Sequence, residues 1–137
     1  MIWQDPKLGF CRTIGNKVFV LTQCQSNAQK NHEKSAESLS KAVELSPKEF
    51  LSWFHLAEAY NKLNDCDSAK EAAQESIDLK KNFGGGWFEL GIAEYCGGKG
   101  NKNTSINHFE KARNDREWRK MAEYEIDRVR NPEKYEE

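Results

Sequence analysis

The sequence predicts an all-α fold built by stacking helix-turn-helix units. Three observations lead there. Two tryptophan-led segments, Trp53-Phe54-x-Leu56-Ala57-x-x-Tyr60 and Trp87-Phe88-x-Leu90-Gly91-Ile92-Ala93-Glu94-Tyr95, lie 34 residues apart (87 − 53). Each is followed by a second segment whose apolar residues recur at three and four positions, the period of a helix. The composition is that of thin helical layers: 31% of the 137 residues are charged, 37% are apolar, and the mean hydropathy is -0.90. Each helix in such a layer buries one stripe and leaves a wide face in water.

Residues 1–24 are the least regular part. Two readings stand, a degenerate helix and a β-hairpin. In the hairpin, Leu8–Ile14 and Lys17–Leu21 flank the turn-forming pair Gly15-Asn16, and Val18, Phe19 and Val20 favour strand geometry. A helix from about Gln23 to Leu45, broken near Asn31, then follows. The next boundary is Ser46-Pro47-Lys48-Glu49, read as an N-cap serine, a proline at the first helical position and a glutamate closing a capping box. The first tryptophan helix ends near Asn64, a residue that tolerates left-handed backbone, and Asp65 or Asp67 caps its partner helix. That partner carries Ala69, Ala72, Ala73, Ser76, Ile77 and Leu79. In the second unit the corresponding segment is Ser105, Ile106, Phe109 and Ala112. A last stripe of Trp118, Met121, Ala122, Ile126 and Val129 predicts a terminal capping helix over residues 116–130, stopped by Asn131-Pro132.

These residues resemble the tetratricopeptide repeat, a 34-residue helix-turn-helix with W-x2-L-G-x2-Y, then A-x3-F, then P. Trp53, Leu56, Ala57, Tyr60, Ala69 and Ala73 match one copy, and Trp87, Leu90, Gly91, Phe109 and Ala112 match the next. The second copy departs from the pattern: Tyr95 falls one residue late, and the loop Gly97–Thr104 carries two extra residues. Ser35, Leu39, Ala42 and Pro47 match the second helix and closing proline of an earlier, weaker copy. The resemblance implies a right-handed superhelix of about three repeats plus the capping helix. Residues 1–16 are then an N-terminal extension and 17–137 the repeat domain.

Several chemistries are disfavoured. Lys+Arg total 21 against 22 Asp+Glu, a net charge of -1 with both signs interleaved, whereas nucleic-acid binding draws on a basic surplus. No apolar run reaches membrane-span length. Cys11, Cys24, Cys66 and Cys96 show no C-x-x-C pair, so dispersed, buried, reduced thiols are expected rather than a zinc site. The glycine-rich Gly97–Thr104 loop lacks the order of a phosphate loop and joins helices, so it reads as a solvated turn. Gly84-Gly85-Gly86 reads as a joint between repeats. His32, His55 and His108 stand without companion ligands, and no Ser, Cys or Lys has a locally paired base. No enzymatic activity, metal or cofactor is expected. The chain is read as cytoplasmic; the alternative is a bacterial envelope lipoprotein acylated at Cys24, for which the four-residue apolar run 18–21 is short.

In the tetratricopeptide family the first helices of successive repeats line a concave surface. By that resemblance Leu51, Phe54, Glu58 and Asn61 on one repeat, and Phe88, Ile92 and Tyr95 on the next, are the partner-binding candidates. One branch of the family grips acidic chaperone tails with groove lysines, arginines and asparagines. Here only Asn61 is of that kind, so an apolar or amphipathic protein segment is the expected partner. The alternative is self-association through residues 1–24, where a free strand edge could pair two chains.

Overall fold

A computed structural model describes the backbone of residues 2–4, 11–13 and 17–136, and the side-chain surroundings of residues 29–96 and 98–136. Among the described residues there are six α-helices: α1 (Lys17–Leu45), α2 (Phe50–Lys62), α3 (Cys66–Leu79), α4 (Gly84–Glu94), α5 (Lys102–Ala112) and α6 (Arg119–Arg130). Two short strands, β1 (Ile2–Gln4) and β2 (Cys11–Thr13), pair antiparallel with Trp3 opposite Arg12. Of the two readings for the N-terminal segment, Lys17–Leu21 lies in α1, as the helix reading had it, and the strand that pairs with β2 is Ile2–Gln4 rather than Lys17–Leu21. The break expected near Asn31 is also absent. Residues 17–45 contain neither glycine nor proline, so nothing interrupts the i to i−4 ladder. The weak first copy is thus one 29-residue helix, not a helix pair.

The α2–α3 and α4–α5 pairs repeat the same local devices. The indole of Trp53 donates to the Pro47 carbonyl at 2.9 Å, and that of Trp87 donates to the Lys81 carbonyl at 2.9 Å; each spans six residues. Because its carbonyl is held this way, Pro47 sits in a turn, and α2 starts at Phe50 with Glu49 rather than Ser46 at its N-cap. Asn64 has φ 58, and the Asn64 and Asp65 amides donate to the Asn61 and Tyr60 carbonyls, a complete Schellman stop. The Asp65 side chain then accepts from the Ser68 amide. Asn101 caps α5 in the same way, accepting from the Asn103 and Thr104 amides at 3.1 and 3.2 Å.

Two connected cores follow. Leu56, Ala57, Ala59, Ala72, Ala73, Ile77 and Leu90 pack with Ala36 and Val43 of α1. Phe88, Phe109 and Ala112 pack with Ala122, Ile126 and Val129 of α6. Allowing for the two-residue insertion, Ala57 and Ala73 in the first pair correspond to Gly91 and Phe109 in the second. A large ring therefore replaces a methyl where the facing helix gives up its own: a Cβ on Gly91 would stand 2.7 Å from the Phe109 ring. The Gly84–Gly86 triplet forms the first turn of α4, with Cβ positions blocked by Asp115, by Phe83 and Trp118, and by Ile77. The Asp115 carboxylate accepts from the Gly84 amide at 2.9 Å, so this helix end is already capped from within.

The cysteines depart from expectation. Cys66, at the start of α3, and Cys96, just after α4, are both half-buried, and their sulfur atoms meet in a disulfide. Their 30-residue separation and the lack of any local motif hid this pairing. Cys11 has only its backbone described, in β2, and the surroundings of Cys24 lie outside the described side chains.

Candidate partner-binding groove

The tryptophan helices α2 and α4 lie side by side, and the N-terminal end of α6, which packs on α5, reaches both. Trp118, at the N-terminus of α6, inserts its ring against Phe54, Phe88 and Phe83, with centroid separations of 5.4, 5.2 and 6.2 Å. Phe54 and Phe88 are only 6% and 5% exposed, so they form a floor rather than a free contact surface. Leu51 is exposed at the start of α2 and stands apart from the hollows described next.

Two adjoining hollows remain open. One, of about 360 Å³, is walled by Glu58 and Asn61 of α2, Glu89 and Ile92 of α4, and Met121 and Glu125 of α6, over the Phe54, Phe88 and Trp118 floor. The other, of about 440 Å³, continues past Asn61 and Ile92 to Tyr95, Arg128 and Tyr135. Glu58, Asn61, Ile92 and Tyr95 are thus gathered along one surface, and α6 supplies its opposite wall. Met121, expected to pack inward on the capping helix, is 51% exposed at the rim.

The polar groups here are unusual for so apolar a place. Glu89 is 4% exposed, and its Oε2 accepts from Asn61 Nδ2 at 2.7 Å; the same amide also donates to the Glu89 carbonyl at 3.0 Å. Burial pushes the Glu89 carboxyl up to about 7, with the neighbouring charges of Glu58 and Glu125 adding to it and Asn61 and Lys62 opposing. Burial likewise raises Glu125, against the pull of Arg128. Arg128 Nη2 comes within 2.9 Å of Glu125 Oε2 but outside hydrogen-bond geometry, and that buried oxygen has no hydrogen-bond donor among the described residues. Burial also works to raise Glu58, but Lys62 at 2.9 Å and His55 at 3.5 Å outweigh it and hold the carboxyl below its ordinary range.

Sequence reasoning missed Trp118, Glu89, Met121, Glu125 and Arg128 as groove residues. One signal was available. Glu89 is the sole ionisable residue in the run 84–93, where the surrounding apolar residues raise the chance that an isolated acid is buried. His108 is structural in surroundings, stacked on Trp87 at 5.7 Å, and burial lowers its basicity. Among the described residues no three potential metal ligands cluster, and no helix is long and apolar enough to cross a membrane.

The fold is thus two packed helix hairpins with an apolar, acid-bearing hollow between α2, α4 and α6. Residues 13–74, fewer than half of the chain, match the model of a family described as ChAPs (Chs5p-Arf1p-binding proteins). The match runs from β2 through α1 and α2 into α3. No curated protein matches the chain.

Proposed function

We propose that the chain is a non-catalytic protein-interaction module of tetratricopeptide type, cytoplasmic, which receives a segment of another protein in the hollow between α2, α4 and α6. The observation that carries this reading is the surface itself. Ile92, Met121 and Trp118 offer apolar contact beside the carboxylates of Glu58, Glu89 and Glu125. An amphipathic segment whose polar side bears lysine or arginine satisfies both demands: its apolar side covers the floor, and its cation stands near Glu125, whose buried Oε2 has no hydrogen-bond donor among the described residues. The partial match to a family described by its binding to Chs5p and Arf1p supports a protein partner of some kind.

The deeply buried Phe54 and Phe88 are poor probes, because a charge at either would break the core. Ile92→Glu and Met121→Glu alter the open wall instead. Peptides selected on the wild-type protein by display should be amphipathic and basic, and should lose at least about tenfold in affinity with either variant, one to two kcal/mol of apolar contact. Far-UV circular dichroism should stay unchanged. Selected peptides that bind both variants as tightly as the parent would remove the groove from consideration. Self-association is the second reading, favoured by the β1–β2 pair, since a two-stranded ribbon leaves an outer edge on each strand.

A further inference from the structure

We infer that Cys66 and Cys96 form a reversible redox modification site, a thiol pair whose disulfide ties the turn of one helix hairpin to the turn of the next. The two residues begin α3 and follow α4, and their Cα atoms are 6.1 Å apart. That separation falls within the span of about 4.4–6.8 Å that a disulfide bridges without backbone movement. Both side chains are half-buried, so a small thiol can reach them. Neither belongs to either hydrophobic core. Opening the bond therefore removes a tether and leaves the packing of α2 through α6 in place. Cross-links that are only half-buried exchange with soluble thiols more readily than fully buried structural ones.

The chemistry needs a thiol–disulfide couple, and glutathione with glutathione disulfide is of the required class. To open the bond, a glutathione thiolate attacks one sulfur, the protein S–S bond breaks, and the other cysteine leaves as a thiolate and takes up a proton. A second glutathione thiolate attacks the mixed disulfide, freeing the first cysteine and leaving glutathione disulfide. Two glutathione thiols are oxidised and one protein disulfide is reduced. Closure is the same sequence reversed, with glutathione disulfide as oxidant. The bond fixes one turn against the other beside Asn61, Asn64 and Tyr95, which line the second hollow with Cys96. The site stands whatever the groove receives.

The test is a redox titration of the full chain in buffers of graded glutathione to glutathione-disulfide ratio, quenched by alkylation and mapped by peptide mass spectrometry. A Cys66–Cys96 linked peptide should appear and disappear with the ratio in folded protein. The oxidised form should melt about 5–10 °C higher than the reduced form, as expected for closing a loop of roughly thirty residues. Cys66→Ser and Cys96→Ser should melt like the reduced parent in both buffers. Glutathione adducts on the two cysteines with no Cys66–Cys96 linked peptide at any ratio, links from either to Cys11 or Cys24, a bond that glutathione cannot open in the folded chain, or closure without a rise in melting temperature would each overturn the inference.

Discussion

Glu89 shows how a single side chain can set the pH response of this protein. An unfolded glutamate loses its proton near 4.5, whereas the buried Glu89 keeps its own to about 7. Between those values the folded state holds more protons than the unfolded state. Stability contributed here is therefore greatest below about 4.5, falls as pH rises towards 7, and stays reduced above it. The full difference is on the order of 3 kcal/mol at 1.36 kcal/mol per unit, shared with the repulsion from Glu58 and Glu125. Glu89→Gln keeps an oxygen for the Asn61 amide and removes the ionisation. Urea midpoints measured from pH 4.5 to 8 should fall for the parent and fall much less for the variant, which should be the more stable protein at pH 8. Equal slopes would mean that Glu89 ionises as freely in the folded protein as in water.

At the scale of an element, α6 is where sequence and structure diverge most instructively. Its stripe is plain in the spacing of Trp118, Ala122, Ile126 and Val129, and the last three are buried as that spacing requires. Where the helix docks could not be read the same way. Trp118 meets Phe54, 64 residues earlier (118 − 54), and Phe88, 30 earlier, through three separate elements; local periodicity carries no information about such partners. Turns were the opposite case. The left-handed Asn64 is determined within six residues, so chemistry alone located it, and of the two cap candidates, Asp65 and Asp67, the structure uses Asp65. Ser46 was misread as the cap of α2 because the Trp53 indole on the Pro47 carbonyl uses a side chain beyond the capping signature. Trp118→Ala deletes the edge contacts that seat α6 in the groove. It should cost about 2–4 kcal/mol in chemical denaturation while leaving the α2–α3 pair helical. A loss below about 1 kcal/mol would mean that Ala122, Ile126 and Val129 hold the helix without it.

For the whole molecule the open question is whether one copy or two makes the working unit, and the two ends of the chain argue differently. On the C-terminal side, α6 packs over the second core through Ala122, Ile126 and Val129. At the N-terminal end, α1 packs on α2 through Ala36 and Val43, yet Leu45 at its C-terminus is 86% exposed and β1 pairs only with β2 among the described residues. Pairing β-edges between copies would satisfy those backbone groups and place two grooves in one assembly, converting weak peptide contacts into avidity. If instead the hairpin lies against its own chain, the groove acts alone. Light scattering on the full chain and on a chain lacking residues 1–16, which end where α1 begins, separates the cases. We expect a monomer of 15.8 kDa in both, independent of concentration, since a three-residue strand offers too few backbone bonds to hold a dimer by itself. A dimer that dissociates on truncation would make the hairpin an assembly element. The groove would then be one of two facing a divalent partner, and self-association would displace single-site docking as the leading account.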